Sequence, residues 1–268
     1  MYRLLAIDLD GTLLTPRPQK IITARARHAL REAAGAGMSI VIATGQNLAM
    51  LRHECGDLPL NGPQILENGA VIADIHGVIY HETLLPEEHV LSTLAMLRAA
   101  GFHRAYHTIH RVYADAGSPR VREWYRLPVP PTIEIEDVAS LYPLPCVKIV
   151  GIGAEQFIRA RRDEFERLYA GKLYVTQSSF DLLEFLHPDV SKGNALIKLA
   201  TDLGIKAEEV VAFGDNHNDI GMLRFAGLGI AMGNAHDEVK AAANYVTVSN
   251  AEDGVAAAIE ELILPRLK

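Results

Sequence analysis

Two aspartates one residue apart, Asp8 and Asp10, follow directly on the apolar run Leu4-Leu5-Ala6-Ile7 and precede Gly11-Thr12. Side chains two apart on an extended strand fall on the same side, so a strand ending here delivers both carboxylates together. The Gly-Thr turn behind them leaves backbone N–H groups free in a tight bend, which can hold a phosphate. The plainer alternative is a solvated acidic end leading into the next helix.

Three further segments combine a buried element with chemistry-bearing residues. Val210-Val211-Ala212-Phe213 reads as a buried strand and ends in Gly214-Asp215-Asn216-His217-Asn218-Asp219. Ile40-Val41-Ile42-Ala43 ends in Thr44-Gly45-Gln46, and Ser191-Lys192-Gly193 opens a helical pattern from Asn194 to Leu203. Each residue also has an ordinary reading. Thr44 can cap a helix beginning near Gln46. Lys192 can be a solvated lysine, although a helix start is an electrostatically poor place for a cation, and Asp219 can complement the dipole of a helix beginning near Asn218.

The elements that must position these residues alternate. Strand patterns at 4–9, 39–43, 65–67 and 71–80 interleave with helical ones at 23–36 and 48–54. From Ser191 the alternation resumes, with strands near 210–213, 229–231 and 245–248. Such alternation predicts an α/β fold, a doubly wound, Rossmann-like parallel sheet covered on both faces. Ligands bind at the carboxyl ends of strands in such sheets, where Asp8, Thr44 and Asp215 fall. The middle of the chain instead reads as an inserted α+β unit: helices at 86–100 and 154–169, strand patterns at 104–109, 112–114, 147–152, 173–177 and 182–186, and Pro-rich loops at 127–132 and 142–145. The expected division is a catalytic core of 1–83 and 187–268 with an insertion of 84–186.

Taken in order, the four segments resemble the signatures of the haloacid dehalogenase-like (HAD) phosphohydrolases, and the long insertion resembles the large α/β cap of their Cof-type, sugar-phosphatase-like branch. The resemblance covers essentially the whole chain. It implies a Mg²⁺-dependent phosphatase acting on a small phosphorylated metabolite through an aspartyl-phosphate, with Asp8 the nucleophile and Asp10 the general acid/base. It further implies that Asp8, Asp215 and the Asp10 carbonyl bind Mg²⁺ with Asp219 in support. Lys192, the Thr44 hydroxyl, Gly45, Asn218 and the turn Leu9–Gly11 would then meet the phosphate. Mg²⁺ commonly takes one or two carboxylates plus phosphate and water, a set these strand ends can supply.

One position departs from the branch, which usually reads Ala-Thr-Gly-Arg where this chain has Ala43-Thr44-Gly45-Gln46. Gln46 lacks the fixed charge and bidentate fork of Arg, so contact with the phosphate or sugar end of a substrate is expected to be weaker or differently directed. Glu67-Asn68-Gly69-Ala70 also resembles a family segment, with Asn68 near the entrance, although Asn-Gly is a turn signal in itself. In the insertion, His103, His107 and His110 do not converge on one face of a strand, so a metal site there is not expected. Arg122, Trp124, Tyr125 and Arg126 read as an amphipathic helix packed through Trp124, or as a wall for a sugar phosphate.

The whole chain bounds the rest. Its 268 residues carry a formal net charge of −7, which argues against nucleic acid as partner. Apolar runs are strand-length and far short of a membrane span. Only Met1-Tyr2-Arg3 precede the first strand, so a cytoplasmic protein without membrane association is expected, as a monomer or small homo-oligomer. Cys55 and Cys146 have no metal-ligand or redox spacing and read as buried thiols. Two other functions stay open on sequence: a phosphomutase or sucrose/trehalose-phosphate-type phosphatase, and a phospho-aspartate signalling module, for which Asp10 and the long insertion are surplus.

Overall fold

The structure is a computed structural model that describes residues 1–117, 132–179 and 181–267. The segment with Arg122, Trp124, Tyr125 and Arg126, and the Pro-rich stretch 127–131, lie outside these residues. The chain divides into two compact units, one of Met1–Tyr80 with Ser191–Lys268 and one of His81–Val190.

Five parallel strands make the sheet of the first unit: β1 (Leu4–Ile7), β2 (Ser39–Ile42), β12 (Val210–Gly214), β13 (Leu228–Ala231) and β14 (Tyr245–Val246), in the order β14-β13-β12-β1-β2. The first strand is an interior one, next to the edge strand β2 and paired with β12 on its other side. All four of its residues are wholly buried, which requires cover on both faces. Leu4 and Ala6 join the core made with helices α5 (Lys192–Asp202), α6 (Ile220–Phe225) and α7 (Asp237–Ala242). Strand alternation sends Leu5 and Ile7 to the other face. Helices α1 (Ala24–Gly35) and α8 (Gly254–Ala258) pack together, with α1 against β2. This is the α/β architecture expected from the alternation.

The helix ends have local causes. The Thr23 hydroxyl accepts the Ala26 N–H at 3.1 Å and starts α1, and the Ser191 hydroxyl accepts the Asn194 N–H at 3.0 Å and starts α5 one residue before Lys192. Helix α2 (Leu48–Cys55) is capped by Asn47, whose Oδ1 accepts the Met50 N–H at 2.9 Å. Capping was the ordinary alternative for Thr44; the chain caps α2 with Asn47 instead, and Thr44 is left for other contacts. A small group of strands completes this unit, β3 (Gln64–Leu66) antiparallel to β4 (Val71–Ala73), with the first two residues of β5 (Ile79–Glu82) beside them. The single strand expected over 71–80 is broken because Asp74 Oδ1 accepts the N–H groups of His76, Gly77 and Val78 and folds a turn.

The second unit has its own six-stranded sheet, β10-β11-β9-β6-β7-β8, from β6 (His103–His107), β7 (Val112–Asp115), β8 (Ile133–Ile135), β9 (Lys148–Ile152), β10 (Tyr174–Ser179) and β11 (Leu182–Leu186). Helices α3 (Glu87–Ala99) and α4 (Glu155–Leu168) supply Leu94, Leu97, Ile158 and Phe165 to a core with Tyr106, Ile149 and Phe185. His107 is buried on β6, whereas His103 and His110 are exposed. Both cysteines are buried free thiols, and burial pushes Cys55 above the usual thiol range. Among the described residues no helix is long and apolar enough to cross a membrane.

Candidate active site

The carboxyl ends of β1 and β12 bring Asp8 and Asp215 together. Beyond β1 the backbone turns sharply over Leu9–Leu13, with Gly11 at φ +85°. A Cβ at Gly11 would lie 2.3 Å from Asp215 Oδ2, so both the left-handed turn and the approach of Asp215 need glycine here. Thr12 fixes the approach from its side, its hydroxyl donating to Asp215 Oδ1 at 2.9 Å. The sequence showed Thr12 within the motif without showing this role.

Lys192 projects from the first turn of α5 into the same place. Its Nζ is 2.5 Å from Asp8 Oδ1 and 2.7 Å from Asp219 Oδ1, and the side chain is 2% exposed. The reading of a solvated lysine at a helix start is thereby set aside. α5 lies close against the start of α6 because Gly193 packs on Gly221: a Cβ at Gly193 would come within 2.8 Å of the Gly221 carbonyl carbon. Asp219 is wholly buried, and its Oδ2 accepts the N–H groups of Asp215 and Asn216, both at 3.0 Å. One carboxylate therefore folds the 214–219 loop and grips Lys192, which is a more specific task than complementing a helix dipole.

Three buried or half-buried carboxylates thus surround one ammonium, and the titration behaviour follows from that imbalance. Burial, and then the Asp219 charge, hold Asp8 well above the usual carboxylate range despite the opposing pull of Lys192. Burial, and then Asp219, push Asp215 up to about 6. Burial alone would lower Lys192, but Asp219 and Asp8 overrule it and keep the ammonium firmly protonated. Carboxylate oxygens of Asp8, Asp215 and Asp219 lie within 4.8 Å of one another, and among the described residues this is the group whose geometry suits a metal ion. An all-oxygen donor set with surplus negative charge fits a hard divalent cation such as Mg²⁺.

The loops after β2 and β3 close the site's side. Thr44 is buried, and its Oγ1 accepts the Gln46 N–H at 3.1 Å, a bond that uses the hydroxyl as acceptor and leaves its proton for another partner. The Asn68 N–H donates to the Thr44 carbonyl and the Glu67 N–H to the Gln46 carbonyl, so the two loops are laced together. Gly45 faces the Asn68 amide, where a Cβ would lie 3.1 Å from Oδ1. Asn218 Nδ2 donates to Asn68 Oδ1 at 3.1 Å and ties this pair of loops to the Asp215 loop. Leu9 is wholly buried beneath the turn, and the Gly11 carbonyl accepts from Asn234 Nδ2 at 2.8 Å.

Gln46 does something the sequence did not indicate. Its Nε2 donates to Asp10 Oδ2 at 2.7 Å and to Glu54 Oε2 at 3.0 Å. The Lys20 ammonium meets the opposite oxygens, Asp10 Oδ1 at 2.8 Å and Glu54 Oε1 at 3.1 Å. Carboxylates only accept, so the amide nitrogen must face them, and Gln46 Oε1 is left buried without a donor among the described residues, at a cost of about 1–3 kcal/mol. Burial opposes the charge on Lys20, yet Asp10 and Glu54 raise its pKa above the ordinary value. Neither Lys20 nor Glu54 belongs to a recognisable motif. Their only sequence signal is an acidic residue in the last turn of α2, a poor place for a negative charge.

Comparison with known proteins agrees with this geometry. A family profile described as haloacid dehalogenase-like hydrolase matches residues 5–259. The 5-amino-6-(5-phospho-D-ribitylamino)uracil phosphatase YcsE of Bacillus subtilis is 33% identical over 98% of this chain and 96% of its own. The pyridoxal phosphate phosphatase YbhA of Escherichia coli is 33% identical over 95% of this chain and 96% of its own. Among solved structures, a haloacid dehalogenase-like hydrolase from Bacteroides thetaiotaomicron superposes with a TM-score of 0.86 at 31% identity, covering 98% of this chain and 100% of that one. A sugar phosphatase of subclass IIB of the same superfamily superposes with a TM-score of 0.86 at 26% identity, over 98% and 99%. A match of this extent leaves no room for a free-standing signalling module. The chain is an enzyme of the haloacid dehalogenase-like hydrolase family, in the Cof-type branch with a large α/β cap.

Proposed function

We propose that the enzyme is a Mg²⁺-dependent phosphatase that hydrolyses a small phosphorylated metabolite, a sugar phosphate or a compound of similar size, through an aspartyl-phosphate on Asp8. The observation that carries this reading is the Lys192 ammonium bridging Asp8 and Asp219 beside Asp215, with Asp10 two residues beyond Asp8 on the same turn. The relatives named as phosphatases of a ribitylaminouracil phosphate and of pyridoxal phosphate support the substrate class. We assign residues 1–83 and 187–268 to the catalytic core and 84–186 to the cap.

Asp8, Asp215 and the Asp10 carbonyl are the groups proposed to hold Mg²⁺, with Asp219 supporting them through the loop it folds. When bound, the ion offsets the repulsion between an anionic ester and an anionic nucleophile. The chain's own residues supply the rest. The Asp8 carboxylate attacks phosphorus; the bond from phosphorus to the leaving oxygen breaks, and the Asp10 carboxyl gives that oxygen its proton. The Asp10 carboxylate then takes a proton from water, whose oxygen bonds to phosphorus as the bond to Asp8 breaks, and inorganic phosphate leaves. Lys192, the Thr44 hydroxyl, Gly45, Asn218 and the N–H groups of Leu9–Gly11 are assigned to the phosphoryl oxygens, where fixed donors stabilise the transferring charge.

A phosphate-release screen over sugar phosphates, nucleotides, phosphoglycolate and pyridoxal phosphate, with Mg²⁺ and with a chelator, tests the reading. Release that needs Mg²⁺ is the expected result. Equal release in chelator, or none from any ester, overturns it.

A further inference from the structure

Asp10 is the residue whose freedom matters most to the proposed chemistry, because its carboxyl must hand over a proton in one half-reaction and collect one in the next. In this structure its side chain is 46% exposed, yet both of its oxygens are held from within the protein. Lys20 takes Oδ1 and Gln46 takes Oδ2, and the same two donors take Oε1 and Oε2 of Glu54. The four side chains form a closed ring in which donors and acceptors alternate. Glu54 is the anchor, with its side chain 9% exposed at the end of α2. Two bonds to the two oxygens fix the plane of the Asp10 carboxylate, which one bond does not do, and the outward lone pair of each oxygen stays available.

Two features set the ring apart from an ordinary surface ion pair. Gln46 leaves its own buried oxygen without a donor among the described residues in order to aim its nitrogen at both carboxylates. Lys20 is held at φ +47°, a left-handed conformation uncommon for a side-chain-bearing residue, and from there reaches both acids. Neither residue is needed to complete a helix or a strand.

We propose that Lys20 and Gln46, aligned by Glu54, are positioning residues that orient the Asp10 carboxyl for proton transfer to the leaving group. This rests on the acid/base reading of Asp10 given above. Gln46 thereby gains a task where the family's usual Arg stands, and the task concerns the proton rather than the substrate's far end.

Leaving-group dependence reads this role where a purely structural one does not register. A nitrophenyl ester departs with little need of a proton, whereas an alkyl ester needs one. The test is kcat/KM for a nitrophenyl and an alkyl phosphate in the wild-type enzyme and in Asp10→Asn, Lys20→Met, Lys20→Arg, Gln46→Leu and Glu54→Gln. Loss of the proton donor is worth about 10²–10⁴-fold, so Asp10→Asn should lower the alkyl-to-aryl ratio on that scale. Lys20→Met and Gln46→Leu should lower it by about tenfold or more, since misplacing a reacting group carries a penalty of that order. Glu54→Gln should follow in the same direction, and Lys20→Arg should return most of the ratio. If Asp10→Asn collapses the ratio while Lys20→Met, Gln46→Leu and Glu54→Gln keep the wild-type value, the inference is wrong and the reading of Asp10 stands. If Asp10→Asn keeps the wild-type ratio, the acid/base reading fails and takes the inference with it. Should Lys20→Met not fold, Gln46→Leu and Glu54→Gln decide between the same outcomes.

Discussion

Lys192 and Asp8, 184 positions apart in sequence, meet in a 2.5 Å ion pair buried at the carboxyl end of β1. A buried cation with two acidic partners is far from water, and removing it leaves Asp8 and Asp219 facing each other uncompensated. Lys192→Met should therefore abolish turnover and also destabilise the fold in the absence of metal by about 3–5 kcal/mol. Urea unfolding in chelator checks the second part. An unchanged midpoint would mean that the pair contributes nothing to the fold.

The surplus of negative charge predicts how pH and Mg²⁺ act together. Asp8 and Asp215 have folded-state pKa values above those of the unfolded chain, Asp215 at about 6. Their ionisation is disfavoured in the metal-free fold, so their contribution to stability is fully present below the ordinary carboxylate range; the Asp215 part is lost as pH rises through about 6, and the Asp8 part as pH rises through its own raised value. A divalent cation must displace those protons to bind. Thermal melts should accordingly show a Tm increase with Mg²⁺ that is small at acidic pH and grows through neutrality. A Mg²⁺ effect of equal size across that window would contradict the assignment of these carboxylates to the ion.

Gly11 is predicted to be intolerant of even one carbon. The Gly11→Ala methyl would meet Asp215 Oδ2 at 2.3 Å in a left-handed conformation. Displacement of Asp215 should lower kcat sharply, and strain of this kind costs about 1–3 kcal/mol. Steady-state kinetics and denaturation of Gly11→Ala check both effects together.

How much of this was legible depends on what kind of signal each residue leaves. Asp8, Thr44 and Asp215 stand at the ends of buried apolar runs, and a parallel sheet places such ends at its ligand-binding edge, so pattern and topology point to them without coordinates. Lys192 was visible as a cation misplaced at a helix start. Lys20 and Glu54 were not, because a lysine in a Pro-rich connection and a glutamate on a helix look like ordinary solvated charges until the turn folds back over Asp10. The true cap of α2 was hidden for a related reason: Thr44 and Asn47 are both good caps, and only the backbone path decides which one faces the open N–H groups. The break between β4 and β5 came from three N–H groups converging on Asp74, a local bond pattern that a run of apolar residues conceals.

A separate prediction concerns the second unit. Lys148 and Glu184 form an ion pair at 2.8 Å on adjacent strands, and both side chains are almost wholly buried. Lys148→Ala should cost about 3–5 kcal/mol by removing one charge of a buried pair, whereas the double replacement Lys148→Met with Glu184→Leu should recover most of that loss. Denaturation of the two variants distinguishes a pair that supports the fold from one that merely coexists with it.

The central claim is that phosphate passes through Asp8, and trapping the phospho-enzyme tests it most directly. With a nitrophenyl phosphate and Mg²⁺, Asp10→Ala should still form the first intermediate and then stall, because the group that activates water is missing. Acid quench and peptide mass spectrometry should find a phosphoryl group on the peptide that contains Asp8, and none in Asp8→Asn under the same conditions. Full turnover by Asp8→Asn, or Asp10→Ala that releases nitrophenol with no phosphoryl group on Asp8, would contradict the account.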